Sequence, residues 1–364
     1  MARREMILII VAAYCFSVIM SGAYGFQPKT IPNIYYPAPG FMNSNSAVAA
    51  GAWEGFRNLT NACKGDRMQG LPDLKRYFRR FGYLSAQNNV TEDFDEAVES
   101  AVRTYQKNFG LNVTGVLDEA TISQLMVPRC GREDIINGSS AMRGRGLFPF
   151  FPGSPRWGPD KRVLSYAFSP DHEVLSEISL AELSTVVGRA FKRWADVIPI
   201  TFTESSDYSS ADIKVGFYSG DHGDGHPFDG PLGTLAHSFS PPDGRFHLDA
   251  AESWTVDLSS DSAATAIDLE SIATHEIGHL LGLGHTTEKA AVMYPSIAPR
   301  TRKVDLVLDD VDGVQYVYGA NPNYNASAVL AQNETSSATA IQLPPGARLL
   351  PILFFISSLL PLIL

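Results

Sequence analysis

The chain has 364 residues, 45% of them hydrophobic, and a formal net charge of −10. That length allows two modest domains with tails, and the apolar share supports a real core. The acidic balance excludes nucleic acid as a natural partner, and three cysteines, Cys15, Cys63 and Cys130, are too few for a disulfide scaffold.

Arg3 and Arg4 precede an apolar run from Met6 to Met20, then small residues up to Gly25. This is the layout of a secretory signal peptide over residues 1–25. A membrane-anchoring helix is the alternative, and the shortness of the run counts against it. Residues 26–146 are expected to be a propeptide, opening with a Pro-, Asn- and Ser-rich lead-in to about residue 52.

A helical unit is expected over about 53–127. Leu71, Leu74, Tyr77, Phe78 and Phe81 share one face at helical spacing. Phe94, Ala97, Val98, Ala101, Val102 and Tyr105 share another, with Thr91 and Asp93 as candidate N-caps. A turn at 110–115 leads to a third helix over 118–126. Then comes Pro128-Arg129-Cys130-Gly131-Arg132-Glu133-Asp134. A thiolate is a strong soft ligand and can fill an open metal position. The alternative is a disulfide between Cys130 and Cys63. Residues 139–159, rich in Gly, Pro and Arg, read as a linker and cleavage zone, with the mature chain starting near 147–151.

Strands are expected at 163–168, 200–203 and 212–218. An amphipathic helix at 180–197 turns Leu183, Val187, Ala190, Phe191 and Trp194 inward. A run dense in donors follows. His222, Asp224, His237 and His247 make a set of four with no vacancy, as a structural zinc requires. Asp229, Asp249 and Glu252 are hard oxygen donors suited to Ca²⁺.

The central motif is His275-Glu276-x-x-His279-x-x-Gly282-x-x-His285. On a helix expected from about 263 to 281, His275 and His279 leave one face a turn apart. Gly282 lets the chain leave the helix sharply and swings His285 back as a third ligand. Three protein ligands leave one position open for water, as a catalytic zinc requires. Glu276 is placed to take a proton from that water. Val292-Met293-Tyr294-Pro295 reads as a Met-turn beneath the metal. The resemblance of this motif to matrix metalloproteinases implies that residues 296–308, carrying Arg300, Arg302 and Lys303, wall the pocket for the substrate residue just past the scissile bond. A last helix is expected at 308–318.

Residues 321–338 form a polar stalk. The end of the chain, 339–364, has a spacer and then an apolar tail, with small residues Ser336, Ser337 and Ala338 before it. This is the pattern of a GPI-anchor signal, with Ser336 as the attachment candidate. A tail-anchor helix is the alternative, and Pro351 and Pro361 weigh against it. N-x-S/T sequons at Asn58, Asn89, Asn112, Asn137, Asn325 and Asn333 suit a secreted glycoprotein.

The long His-Glu motif with a Met-turn is the metzincin signature. The Pro-Arg-Cys-Gly segment with Asp134 resembles the cysteine switch of matrix metalloproteinases, and the helical unit resembles the peptidoglycan-binding-like fold of metalloprotease prodomains. From Leu71 to Gly319 the chain is most similar to plant-type matrix metalloproteinases, whose short layout has no hemopexin-like domain. The resemblance implies an α+β protein. A helical prodomain precedes a zinc-protease domain (147–320) with a mixed, mostly parallel sheet and three helices.

It also implies a cysteine-switch zymogen of a zinc endopeptidase that hydrolyses peptide bonds in extracellular or cell-surface proteins; with the tail pattern, a monomer held to the outer leaflet by lipid is expected. Two zinc ions are implied, one at His275, His279 and His285 with Cys130 in the zymogen, one at the His222 set. At least one Ca²⁺ is implied at Asp229, Asp249 and Glu252 with the main-chain oxygens of Gly230, Leu232 and Thr234. Met293 would support the metal site, and residues 234–239 would be a free edge strand for substrate. Glu133 stands where proline is usual in the family. Arg245 stands where a second calcium would need an acidic donor. The competing reading is a catalytically silent surface-binding module, which would have lost Glu276 or a ligand.

Overall fold

The computed structural model describes residues 51–142, 151, 153–170 and 178–324. The signal segment, Cys15, residues 143–150, Asn325, Asn333, Ser336 and the apolar tail lie outside the described residues. Three helices follow a short 3-10 turn at Glu54–Leu59: α1 (Leu71–Arg80), α2 (Glu96–Asn108) and α3 (Glu119–Leu125). The apolar faces expected for α1 and α2 are buried together. Tyr105 on α2 and Phe109 at its C-cap stack with centroids 4.3 Å apart.

The caps differ from those expected. Asp95, not Thr91 or Asp93, caps α2: its extended backbone lets the carboxylate accept from Val98 N at 2.9 Å. Thr91 instead accepts from Lys75 Nζ at 3.1 Å. Asp118 caps α3 through Thr121 N at 2.8 Å, so that helix starts one residue late.

After α3 the chain enters strand β1 (Arg129–Cys130), then a hairpin of β2 (Ile135–Ile136) and β3 (Ser139–Ser140). Asn137 and Gly138 both have positive φ, 51° and 74°, as a two-residue hairpin turn requires. Residues 139–142 are therefore not linker. Ala141 N donates to Asp134 O at 2.7 Å, and Met142 is buried in the helical core.

The main sheet adds β4 (Val163–Phe168), β5 (Thr201–Glu204), β6 (Ile213–Tyr218), β7 (Thr234–Ser238) and β8 (Arg245–Asp249). Its order is β1-β7-β8-β6-β4-β5. Only the β7–β8 pair is antiparallel. A second small pair joins β9 (Trp254–Thr255) and β10 (Ile267–Asp268). Helices α4 (Leu180–Ala195), α5 (Leu269–Leu280) and α6 (Leu308–Tyr318) complete the fold. It is α+β, with the mixed, mostly parallel sheet and three helices the family resemblance implied.

Helix α4 opens with a capping box between Ser179 and Glu182. It packs on α5, and Trp194 Nε1 donates to Thr274 O at 2.9 Å. Helix α5 starts at Leu269, later than the expected 263. Ile267 and Asp268 are extended to pair with β9, and Asp268 caps the helix by accepting from Ser271 N at 3.0 Å.

Candidate active site

Helix α5 carries His275, Glu276 and His279, all buried. It ends in a Schellman turn: Leu283 N reaches Gly278 O at 3.0 Å and Gly282 N reaches His279 O at 2.9 Å. Gly282 sits at φ 93°, and a Cβ there would meet Pro155 O at 2.2 Å. The turn returns His285 to the same center. Each ring spends Nδ1 on a partner outside it: His275 on Val292 O at 2.7 Å, His279 on Leu283 O at 2.8 Å, His285 on Asp134 Oδ1 at 2.9 Å. With Nδ1 donating, each Nε2 keeps its lone pair free for a metal.

Cys130 Sγ lies 3.3 Å from His279 Nε2, which lies 3.2 Å from His285 Nε2. The four donor atoms of Cys130, His275, His279 and His285 all lie within 4.8 Å of one another. Buried His275 Nε2 has no hydrogen-bond partner, which suits a metal ligand. Burial, and then Glu276, push the Cys130 thiol up. A thiolate here needs a cation, and one sulfur with three nitrogens suits zinc. Burial also pushes the Glu276 carboxyl up to about 7.

Cys130 arrives on a strand laid through the cleft. Arg129 N donates to Gly233 O at 3.0 Å and Gly131 N to Ala236 O at 2.8 Å. On the other side Cys130 N donates to Pro295 O at 2.9 Å, and Ile297 N to Pro128 O at 3.1 Å. The expected free edge at 234–239 is thus covered, in parallel sense, by the chain's own β1. The disulfide alternative does not form: Cys63 is exposed and free.

Arg129 and Asp134 are fully buried and paired twice, Nη1 to Oδ2 at 2.8 Å and Nη2 to Oδ1 at 2.7 Å. The guanidinium lies 3.7 Å over the Phe81 ring, and Tyr83 Oη donates to Asp134 at 2.8 Å. Burial would raise the Asp134 carboxyl, but Arg129 and His285 hold it at about 2. Glu133 is half-buried, 3.9 Å from Arg132, and leaves this pair intact.

His222, His237 and His247 converge on Asp224 Oδ2 at 2.9, 2.7 and 2.8 Å. This closed set of four suits a structural zinc. Nearby, burial raises Asp249 to about 7 and Glu252 to about 8, with Asp229 adding repulsion to both. Asp249 Oδ2 and Glu252 Oε1 are buried without a hydrogen-bond partner. Such a group calls for a hard cation. The turn supplying the expected carbonyls bends through Gly230 and Leu232, at φ 86° and 60°. Asp212 is held by Lys161 at 2.6 Å, and Arg245 by Asp243 at 2.7 Å. Asn58, Asn89, Asn112 and Asn137 are all exposed.

Comparison with known proteins agrees with this geometry. The matrixin family model matches residues 156–319, and a peptidoglycan binding domain model matches 67–125. Metalloendoproteinase 2-MMP of Arabidopsis thaliana is 48% identical over 318 residues, covering 81% of this chain and 82% of that protein. The chain belongs to the matrixin family. Metalloendoproteinase 1 of Glycine max is 44% identical over 288 residues, 77% of this chain and 93% of its own. Human neutrophil collagenase is 38% identical over 245 residues, 66% of this chain and 47% of its own. This matrixin is a zinc metalloendopeptidase that uses catalytic and structural zinc together with calcium.

Two residues of the matrixin site, Asp310 and Asp268, had no individual signal in the sequence. Asp310 clamps the Met-turn, accepting from Val292 N at 2.9 Å and Met293 N at 3.0 Å. Met293 is buried against Gly278, where a Cβ would lie 2.2 Å from its sulfur. Asp134 reaches His285 as well as Arg129, and Asp268 fixes where α5 begins. Asp310 lies in the acidic first turn of α6, and its target lies 17 residues upstream.

Proposed function

We propose that this matrixin is made as a secreted, latent endopeptidase whose own Cys130 segment blocks the cleft. The observation that carries the reading is the 128–131 strand, hydrogen-bonded on both sides as a peptide would be, with Cys130 Sγ 3.3 Å from His279 Nε2. His275, His279 and His285 would hold the catalytic zinc, with Cys130 as fourth ligand until the propeptide, residues 26–146, leaves. Zinc bound there supplies Lewis acidity toward the scissile carbonyl. Glu276 acts as general base. Its carboxylate takes a proton from the attacking water and passes it to the leaving amine. Met293 and Asp310 support the histidines from below. His222, Asp224, His237 and His247 hold the structural zinc, and Asp229, Asp249 and Glu252, with the carbonyls of Gly230, Leu232 and Thr234, hold calcium.

The same reading makes residues 147–320 the mature enzyme, acting on extracellular or cell-surface proteins. Residues 321–338 are its stalk, and 339–364 a signal exchanged for a GPI lipid at Ser336. The end patterns and the exposed sequons support it. Glu276→Gln is the direct test. The variant is expected to keep its zinc by metal analysis and lose peptide hydrolysis by about two orders of magnitude or more. Turnover near that of the parent would refute Glu276 as the base. In cells, a phosphatidylinositol-specific phospholipase should release the protein; retention would favour a tail helix.

A further inference from the structure

The segment 296–308 carries three cations, and the structure separates them. Arg300 is spent on main-chain carbonyls, Asp261 O at 2.8 Å, Ala263 O at 2.9 Å and Leu258 O at 2.9 Å. Arg302 pairs with Asp268 at 3.1 Å and Glu270 at 2.9 Å. Lys303 makes no ion pair among the described residues. Its backbone N is pinned to Ser271 Oγ at 2.7 Å, which fixes where its side chain starts. Its Nζ lies 5.2 Å from the Tyr294 ring centroid.

Lys303 lines a pocket walled by Leu235, Ile272 and Ile297, with Glu276 and Cys130 at its edge. With β1 in the cleft the free space is about 10 Å³, close to one water. Asp310, the carboxylate that acts on Lys303, already accepts from the amides of Val292, Met293 and Val307. The pocket is thus apolar along its sides and carries an ammonium that forms no ion pair among the described residues, Asp310 acting on it from beyond salt-bridge distance. Burial lowers that ammonium to about 8, so it is still mostly charged at neutral pH.

We infer that Lys303 sets the selectivity of this pocket: it favours a substrate residue, just past the scissile bond, whose long apolar stem ends in a hydrogen-bond acceptor, and it rejects Lys and Arg there. The stem packs on Leu235, Ile272 and Ile297, and a glutamine or glutamate tip meets the ammonium. Pairing a desolvated charge is worth far more than the same contact in water. A second cation beside Lys303 in low dielectric is strongly disfavoured. Aliphatic residues fit the walls but leave the ammonium unpaired. This inference rests on the proposed peptidase reading and names part of its substrate class.

The test is kcat/KM for the zinc- and calcium-loaded full chain, activated by limited proteolysis. The peptides differ only in the residue after the scissile bond: Leu, Gln, Glu or Lys. Lys303→Met should lower the Gln/Leu and Glu/Leu ratios by roughly tenfold and raise Lys/Leu by a similar factor. Lys303→Arg, which keeps the charge, should retain the parent's rejection of Lys. Melting temperatures show that the variants are folded. Unchanged ratios in a folded Lys303→Met protein would overturn the inference while leaving the peptidase reading standing. Absence of hydrolysis of every peptide by the parent would overturn both.

Discussion

Replacing Arg129 by Met tests how the latent state is held. In the docked strand both members of the Arg129–Asp134 pair are fully buried and joined by two short hydrogen bonds, 2.8 and 2.7 Å. Without the guanidinium, Asp134 keeps Tyr83 Oη at 2.8 Å and His285 Nδ1 at 2.9 Å, but no fixed positive charge. Removing one partner of a buried pair costs about 3–5 kcal/mol, because the remaining charge is left uncompensated. That cost falls on the docked strand alone, since an undocked Asp134 is hydrated. The undocked population should therefore rise by roughly 10²–10⁴-fold.

Two readouts follow it. One is thiol-reagent labeling of Cys130, in a Cys63→Ser background so that the exposed Cys63 does not react. The other is hydrolysis of a fluorogenic peptide by uncleaved protein. Both should rise together. The double variant Arg129→Met/Asp134→Leu removes the orphaned charge and should recover much of the latency. An Arg129→Met protein as unreactive and as silent as its parent would refute the argument that this ion pair holds the strand in place.

Chelating calcium should lower the melting temperature, and more at pH 8 than at pH 6. The calcium-free pKa values of Asp249 and Glu252, about 7 and about 8, lie above their ordinary ones, so stability from their neutral forms is lost as pH rises through that range. A chelator effect independent of pH would count against these carboxylates as the site. At Glu270, burial would raise the pKa, but hydrogen bonds from Arg189, Arg302 and Arg193 hold it at about 2. Its depressed pKa means that its contribution is present above about pH 4.5 and lost as pH falls toward 2. Glu270→Gln should therefore destabilise the protein at pH 7 and flatten the acid limb of its stability curve. Parallel curves for parent and variant would sink that assignment.

What could be read from the residues was chemistry carried by local spacing. His275, Glu276, His279, Gly282 and His285 lie within one helix and its exit turn, so their order nearly dictates their geometry. Periodic burial gave α1, α2 and α4 for the same reason. The errors are at places decided by distant chain. Asp95, Thr91 and Asp93 are equally good caps by type, and the winner is the residue whose backbone is already extended at the helix start. Helix α5 could not be cut at Leu269 without knowing that Ile267 and Asp268 pair with Trp254 and Thr255. Residues 234–239 have the composition of an open edge, and only the fold shows Arg129 and Cys130 occupying it.

The cations of 296–308 make the same point about function. Arg300, Arg302 and Lys303 are interchangeable in a sequence pattern, each a charge on a polar segment. In the fold Arg300 holds carbonyls before α5, Arg302 neutralises the carboxylates at its start, and Lys303 is left facing the pocket. Selectivity therefore does not reside in the metal motif, which fixes only the bond to be broken. It resides in which of three neighbouring charges the scaffold leaves unpaired. That depends on Asp268 and Glu270, residues that touch no substrate. Only the loss of both carboxylates would free Arg302 as a second unpaired cation on this segment, so residues away from the zinc decide what charge the segment presents.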